Sequence, residues 1–157
     1  MIEIEVPRRG HLQLTHLVCD VNGTLSLDGR LLPGVPERIA RLRQLLDVHL
    51  ITADSFGRQA LIDADLGLVA ERLVPSDPED EQKAAYVRGL GAANVVAIGN
   101  GANDALMFSE AALSICVLGR EGTAVIALSQ ADLLAPDIET ALDLLLYPQR
   151  IRATLRR

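Results

Sequence analysis

Short apolar runs alternate with amphipathic stretches along this 157-residue chain, and this alternation constrains the fold more than any other feature. Each apolar run is a candidate buried strand, and each amphipathic stretch is a candidate covering helix. The pattern predicts strands at 2–6, 11–19, 48–52, 71–74, 94–98, 113–117 and 132–134. It predicts helices at 36–46, 56–66, 78–90, 103–111, 122–129 and 137–147. Strands that alternate with helices are typical of an α/β fold with a mainly parallel central sheet.

Two further signals predict hairpins beside this sheet. The segments 2–6 and 12–14 alternate apolar and polar residues on either side of a turn, which favours an antiparallel pair. A second pair is predicted within 25–32, where an Asp-Gly turn separates two short apolar segments. Because this second hairpin follows Asp20 closely, we expect it to form a small flap over that residue. No linker or repeat interrupts the pattern, so we predict a single domain over 1–157.

Composition limits the class of partner and the compartment. The net charge of −6 argues against a general nucleic-acid binder, which needs a positive surface. We interpret the arginine-rich segment 150–157 as favourable positive charge at the end of the last helix. No signal peptide and no apolar run of about 18 residues is present, so we expect a cytoplasmic protein without membrane contact. Cys19 and Cys116 lie within apolar runs and are expected to be buried without pairing.

The most informative segment runs from His16 to Leu25 and has the sequence His-Leu-Val-Cys-Asp-Val-Asn-Gly-Thr-Leu. In it a predicted apolar strand ends in Asp20 and is followed at once by a glycine turn and Thr24. Side chains at the carboxyl ends of strands in an α/β sheet face the ligand. A carboxylate in that position can act as a nucleophile and form an aspartyl-phosphate. Taken alone, the segment is more often an ordinary turn after a strand.

Three further positions lie at strand ends or helix starts. Thr52 ends a predicted strand, so its hydroxyl can bind a phosphoryl oxygen or cap the next helix. Lys83 falls early in an acidic helix, where it is either a solvated charge or the partner of an anion. The loop Gly99-Asn-Gly-Ala-Asn-Asp104 follows another strand, and such a loop can hold an anion or a metal or simply turn the chain. Each signal is weak alone, but the four follow one another in a specific order and spacing.

With this order and spacing, the chain resembles the haloacid dehalogenase-like superfamily over nearly its whole length. The resemblance runs through four motifs: Asp20 to Leu25, Thr52, Lys83, and Gly99 to Asp104. It implies a Rossmann-like three-layer fold with an uncapped core. Within the superfamily, the segments 95–107 and 119–123 are most similar to the phosphorylation domain of P-type ATPases, so the chain resembles a stand-alone relative of that domain.

The resemblance also implies an activity, which is a Mg²⁺-dependent phosphohydrolase acting on a phosphorylated substrate. Asp20 would attack phosphorus and form an aspartyl-phosphate. The residues implied for binding the phosphoryl group are Thr52, Ala53, Lys83 and Asn103. The residues implied for holding Mg²⁺ are Asp20, Asn22 through its backbone carbonyl, Asn100 and Asp104. Because Lys83 would balance Asp20 as well as the phosphoryl group, its loss should reduce activity more than loss of Thr52.

Two asparagines depart from the pattern of the superfamily. Phosphatases of this group usually carry an aspartate as general acid and base two residues after the nucleophile, and this chain has Asn22 there. Since an amide cannot transfer that proton, we expect Asn22 to limit the rate and to restrict turnover to substrates with good leaving groups. Asn100 replaces another common aspartate, so we expect weak binding of Mg²⁺.

The intervals between the motifs leave no room for a cap domain. An uncapped site can admit a small molecule or a macromolecule as the phosphorylated substrate. We predict a homo-oligomer whose subunits shield the site and exclude water. A non-catalytic phosphate- or metal-binding module remains the alternative function, favoured by Asn22 and Asn100. A receiver-type signalling domain also uses Asp, Thr and Lys, but its phosphorylated aspartate would not lie on an early strand followed by Gly-Thr.

Overall fold

A parallel sheet of six strands forms the centre of the computed structural model, which describes residues 1–157. The strands of the chain are β1 (Ile2–Val6), β2 (Gly10–Leu14), β3 (His16–Asp20), β4 (Ser26–Leu27), β5 (Arg30–Leu31), β6 (Asp47–Thr52), β7 (Glu71–Arg72), β8 (Val95–Gly99), β9 (Leu113–Val117) and β10 (Leu133–Ala135). The α-helices are α1 (Val35–Leu42), α2 (Gln59–Leu66), α3 (Glu79–Gly89), α4 (Ala105–Glu110), α5 (Val125–Gln130), α6 (Ile138–Leu146) and α7 (Gln149–Leu155). The central sheet has the order β10-β9-β8-β3-β6-β7, which confirms the predicted α/β fold.

Both faces of this sheet are buried, so the fold has three layers. Alternate residues of β3 point to opposite faces: Leu17 and Cys19 belong to one apolar cluster, and Val18 belongs to the other. The larger cluster packs under α1, α2, α6 and α7, and the smaller one packs under α3, α4 and α5. This arrangement explains why the strands read as continuous apolar runs. Cys116 lies in the smaller cluster, and neither it nor Cys19 forms a disulfide, as predicted.

Both predicted hairpins are present. Strands β1 and β2 pair antiparallel, and residues 2, 4, 6 and 14 of this pair bury apolar side chains against the larger cluster. Strands β4 and β5 pair antiparallel beyond the end of β3, with Asp28 and Gly29 between them at positive φ. Such backbone angles match the twist of a two-residue hairpin turn. We refer to residues 26–31 as the flap.

The strand predicted at 11–19 is in fact two strands that belong to different sheets. The break falls at Thr15, whose N–H donates to the carbonyl of Asn94 and whose carbonyl accepts from the N–H of Asp47. These bonds carry the chain out of its pairing with β1 and into the central sheet between β6 and β8. Threonine favours strands and gives no sign of a break, so the apolar pattern continued across it.

The arginine-rich segment after 147 also differs from its prediction. It forms a helix of its own, α7, which begins after Pro148 and buries Ile151 completely against the core. A single buried turn within an arginine-rich stretch provides too little periodicity to indicate a helix. No helix in the structure combines the length and the apolar character needed to cross a bilayer.

Candidate active site

The predicted site residues come together at the carboxyl edge of the central sheet. Asp20 ends β3, the strand between β6 and β8, so the end of each neighbour lies beside it. Thr52 ends β6, and Asn100 follows directly after β8. Parallel strands place these ends at one edge of the sheet, which is where ligands bind in open α/β folds.

Lys83 is the only lysine of the chain and lies beneath this edge. Its side chain is 1% exposed, and its Nζ lies 2.7 Å from Asp20 Oδ1 and 2.7 Å from Asp104 Oδ1. A buried ammonium is tolerated when it is paired and fully hydrogen-bonded, and the two carboxylates meet that condition. Of the two alternatives left open for Lys83, the structure shows the partner of an anion and not a solvated charge.

Asp104 fixes the geometry of the loop after β8. Its Oδ2 accepts the backbone N–H groups of Asn100 and Gly101, each at 2.9 Å, while Oδ1 accepts from Lys83. A Cβ on Gly99 would lie 2.3 Å from Asp104 Oδ2, so a glycine is needed where the carboxylate turns back on the loop. Both oxygens of Asp104 thus have protein donors, and its role as a direct metal ligand stays a prediction.

The charges at the end of β3 are strongly coupled. Burial raises the pKa of Asp20, Asp104 raises it further, and Lys83 and Thr24 lower it, with a net value of about 6. Burial alone would lower the pKa of Lys83, but Asp20 and Asp104 more than offset this and raise it above its ordinary range. Lys83 therefore stays charged at neutral pH, and Asp20 ionises only above the usual range of an aspartate.

The raised pKa of Asp20 predicts that replacing Asp20 by asparagine stabilises the metal-free protein. The ordinary pKa of 3.8 applies to the unfolded chain, so between pH 4 and 6 the native state retains a proton that the unfolded state has lost. The stability of the wild type thus falls as pH rises through this window. We expect Asp20→Asn to raise the free energy of unfolding, measured with urea, by about 2–3 kcal/mol at pH 8. Near pH 4 the variant and the wild type should be equally stable.

The control for this measurement is Asp65→Asn, because Asp65 is exposed on α2 and makes no side-chain bond. Asp65→Asn should match the wild type at both pH values. An Asp20→Asn variant that is equally or less stable than the wild type at pH 8 would show that Lys83 fully compensates the buried carboxylate.

The side-chain oxygens of Asp20, Thr24 and Asn100 converge at one point of the site. The Thr24 Oγ1 lies 3.0 Å from Asp20 Oδ2 and 3.0 Å from Asn100 Oδ1. Asn100 Nδ2 donates to the carbonyl of Gly122 at 2.9 Å, so its oxygen is the atom that faces Thr24. A hydroxyl has one hydrogen, so it cannot satisfy both acceptors at once. An additional cation would satisfy the remaining oxygen.

This oxygen set fits Mg²⁺, which prefers oxygen ligands and often takes only one or two carboxylates from the protein. Asp20 supplies a carboxylate, Asn100 supplies an amide oxygen, and the backbone carbonyl of Asn22 lies on the same turn. The structure contains no group of three or more His, Cys, Asp or Glu side chains that could hold a metal. The three oxygens are compatible with a bound magnesium ion, and weak binding stays a prediction.

Thr52 and Asn22 are linked on the other side of Asp20. Asn22 Nδ2 donates to Thr52 Oγ1 at 3.3 Å, and the backbone N–H of Asp54 donates to the same oxygen at 2.9 Å. With two donors on its oxygen, the hydroxyl of Thr52 has its own hydrogen left for an acceptor. The bond from Asp54 gives Thr52 a structural role as well, so both roles anticipated for this residue are compatible with the structure.

A cavity of about 450 Å³ opens above Asp20. Its lining includes the predicted residues Asp20, Asn22, Ala53, Asn100 and Asn103. Thr52, Lys83 and Asp104 lie buried beneath it. A larger cavity of about 660 Å³ lies near Arg9 and Asp132, at the opposite edge of the sheet, and contains none of these residues.

Two acidic side chains of this cavity were not predicted. Glu79 begins α3, and its Oε2 accepts from Asn103 Nδ2 at 2.6 Å. Glu121 follows β9, and its Oε1 accepts from the backbone N–H of Asp28 at 3.3 Å. The sequence presents Glu79 as an ordinary acidic first turn of a helix, and it places Glu121 in a loop without periodicity. Only the folded chain shows that both side chains reach the same cavity.

The flap lies beside this cavity and bridges two of the loops around it. Its tip is joined to the loop after β9 through Asp28 and Glu121. On the other side, a Cβ on Gly29 would lie 3.1 Å from Phe56 Cβ and 2.9 Å from Arg58 Cδ, so the tip packs against the loop after β6. Asp20 is left 7% exposed.

Solved structures with the same fold include several phosphatases. The deoxy-D-mannose-octulosonate 8-phosphate phosphatase of Haemophilus influenzae, in a cobalt-bound form, matches with a TM-score of 0.70 and 15% identity over 92% of this chain and 94% of its own. The corresponding enzyme of Moraxella catarrhalis, in complex with magnesium, phosphate and KDO, has a TM-score of 0.66 and 17% identity over 90% of each chain. A phospho-aspartyl intermediate analogue of phosphoserine phosphatase has a TM-score of 0.59 and 19% identity over 86% of this chain and 99% of its own.

These likenesses, together with those to solved structures of HAD family hydrolases, show that the chain has the fold of haloacid dehalogenase-like hydrolases, as the four motifs predicted. Among curated proteins, an uncharacterized protein of Methanocaldococcus jannaschii is 47% identical over 62 residues, which are 40% of this chain and 67% of that protein. The chain belongs to the same family as this archaeal protein. No protein-family model matches the chain.

Proposed function

We propose that the protein is a Mg²⁺-dependent phosphohydrolase that works through an aspartyl-phosphate at Asp20. The observation that carries this proposal is the environment of Asp20, a carboxylate fixed by Lys83 on one oxygen and by Thr24 on the other beneath an open cavity. Such a carboxylate is oriented before the substrate arrives, and orientation supplies much of the catalysis of phosphoryl transfer.

The buried residues stabilise the charge of the transferring group. An oxygen of Asp20 forms a bond to phosphorus as the bond to the leaving group breaks, and the charge spreads over the other phosphoryl oxygens. Lys83 neutralises part of this charge, while the free hydroxyl hydrogen of Thr52 and the exposed backbone N–H of Ala53 can donate to phosphoryl oxygens. Bound Mg²⁺ would neutralise further negative charge on the phosphoryl group.

The second half of the reaction needs water to attack the phosphorylated Asp20 and release inorganic phosphate. The leaving group departs without a proton from the protein, since Asn22 occupies the position beside Thr52 and has no acidic hydrogen. The attacking water likewise has no carboxylate there to accept its proton. Both steps should therefore be slow with alkyl phosphates, and phosphoenzyme should accumulate with good leaving groups.

The structural neighbours support a phosphorylated substrate and a divalent metal. Two neighbours are phosphatases bound to magnesium or cobalt, and a third carries a phospho-aspartyl analogue. The particular likeness to P-type ATPases, the cytoplasmic location and the homo-oligomer stay predictions.

Trapping the covalent intermediate tests the proposal. Acetyl phosphate with Mg²⁺ should phosphorylate wild-type protein at Asp20 alone, as located by peptide mass spectrometry after acid quenching. Asp20→Asn should show no phosphorylation, and the exposed control Asp65→Asn should match the wild type. Modification at another residue, or turnover by Asp20→Asn equal to that of the wild type, would exclude an aspartyl-phosphate at this position.

A non-catalytic phosphate-binding module is the second candidate, favoured by the amides at 22 and 100 in place of carboxylates. It predicts that inorganic phosphate or beryllofluoride binds while no phosphorylated compound is turned over. The single lysine makes this outcome measurable, because protein labelled with ¹³C at lysine Cε gives one signal, which arises beside Asp20. A shift of that signal on ligand addition, without turnover, would establish the binding module.

A further inference from the structure

The cavity above Asp20 has an unusual distribution of charge for a site that receives a phosphoryl group. Its charged lining side chains are Asp20, Glu79 and Glu121, and no arginine or lysine lines it. The nearest ammonium, that of Lys83, is 1% exposed and already bonded to Asp20 and Asp104. No cation among the lining residues is therefore free to attract a second anionic group on the substrate.

Glu79 lies where the part of the substrate beyond the phosphoryl group would extend. It is four residues before Lys83 on α3, so the two side chains lie on one face of the helix about 6 Å apart along its axis. Lys83 marks the phosphoryl end, and Glu79 lies one turn nearer the mouth. Asn103 holds Glu79 Oε2, and Glu79 Oε1 has no partner in the protein.

Glu121 contributes negative charge from the opposite side. Its Oε1 is bonded to the flap at Asp28, and its Oε2 lies 2.8 Å from the point that a Cβ on Gly23 would occupy. The carboxylate thus lies against the turn that follows Asp20. A leaving group in the cavity would therefore meet two carboxylates besides that of Asp20.

We propose that the preferred substrate is a phosphate ester whose leaving group carries a positive charge, such as the O-phosphate of an amino alcohol or an aminoalkyl phenol, and that Glu79 recognises this charge. This inference rests on the proposed function. A leaving group with an ammonium would pair with the free Oε1 of Glu79, whereas one with a carboxylate would meet two like charges. The competing explanation is that Glu79 and Glu121 act only on the metal ion.

Three aryl phosphates test the proposal because they share a phenol leaving group and differ in side-chain charge. They are phosphorylated tyramine, 4-ethylphenyl phosphate and phosphorylated 4-hydroxyphenylacetate. We expect kcat/KM to fall in that order, by about two- to fivefold per unit of charge, the range of partly exposed ion pairs. Glu79→Gln should remove most of the preference, so that the kcat/KM values of the three esters approach one another.

The matched control is Glu81→Gln, which makes the same change on an exposed residue of α3 outside the cavity. It should keep the full preference. Equal kcat/KM for all three esters in the wild type would overturn the proposal. So would a Glu79→Gln variant that needs more Mg²⁺ but keeps the same order of substrates, because the carboxylate would then serve the metal.

A binding measurement separates this proposal from the proposed function. If no ester is turned over, phosphohydrolysis fails as the function, and calorimetry of the three esters with Asp20→Asn still measures the charge preference. An affinity order of ammonium, neutral and carboxylate, lost in the double variant with Glu79→Gln, would uphold recognition by Glu79. Equal affinities would overturn it.

Discussion

Replacement of Lys83 by methionine is expected to slow phosphoenzyme formation by about 10²–10³-fold and to lower the free energy of unfolding by about 3–5 kcal/mol. The ammonium lies 2.7 Å from both Asp20 and Asp104. Its removal leaves two buried carboxylates without a cation, and breaking a buried pair is costly for this reason. The rate falls because the transferring phosphoryl group loses its only protein cation.

The loss of Lys83 should also change the pH dependence. With the ammonium gone, the pKa of Asp20 should rise further above its ordinary range, because Lys83 is the main group that lowers it. A protonated Asp20 cannot attack phosphorus, so part of the lost rate should return as pH rises. Stability should fall over the same range, since ionisation then places uncompensated charge in the interior.

Two further variants provide the comparison. Arg88→Met removes an exposed cation of α3 that pairs with Glu110 at 2.9 Å, and it should change stability by less than about 1 kcal/mol. Thr52→Val removes a neutral hydroxyl and should slow phosphorylation by only about tenfold. Urea unfolding and quenched phosphoenzyme measurements provide both quantities. A Lys83→Met variant as stable as Arg88→Met would contradict the buried charge network.

The sequence predicted the fold well because local pattern and global architecture agree. Buried parallel strands must be apolar on both faces, and the buried segments that precede Asp20, Thr52 and Gly99 are, at 17–19, 50–51 and 95–98. The four motifs then lie at one edge by topology alone. The break at Thr15 was not predictable in this way, because it depends on backbone bonds to residues distant in the chain.

The site was only partly predictable for a similar reason. Asp20 and Thr52 end strands and Lys83 lies early in a helix, so their order along the chain is recognisable in the sequence. The hydrogen-bond partners of Asp104 depend instead on how its loop turns back. Glu79 was missed because an acid in a first helical turn has a sufficient local explanation, and Glu121 was missed because its loop has no periodic pattern. The electrostatic environment depends on which side chains the fold brings together, so the spacing of the motifs does not predict it.

Introducing a carboxylate with Asn22→Asp is expected to raise the hydrolysis of alkyl phosphates by up to about 10²–10⁴-fold. An alkoxide is strongly basic and leaves slowly unless it is protonated, and a carboxylic acid at this position can supply the proton. Aryl phosphates should gain less, because a phenolate leaves readily without protonation. Phosphoenzyme should accumulate less in the variant, since the new carboxylate can also accept a proton from the attacking water.

The structure indicates how the new group would be held. In the wild type the amide of Asn22 donates to Thr52 Oγ1 at 3.3 Å. An ionised carboxylate cannot donate, so the hydroxyl of Thr52 would donate to it instead and the direction of the bond would reverse. This competes with the phosphoryl oxygen for the same hydrogen, so the gain should fall towards the lower end of the range.

The matched control is Asn100→Asp, which adds one carboxylate to the same cavity on the side of the convergent oxygens. It should strengthen Mg²⁺ binding, measured by titration, without changing the ratio of alkyl to aryl turnover. Both variants are compared at saturating Mg²⁺, so that added negative charge alone cannot account for a difference in rate. Two results would show that the lack of proton transfer by Asn22 does not limit the rate. One is an equal rise in the turnover of alkyl and aryl phosphates by Asn22→Asp, and the other is an equally large change of their ratio by Asn100→Asp. If neither variant turns over any phosphate ester while beryllofluoride still binds, the amides belong to a binding module rather than to a slow enzyme.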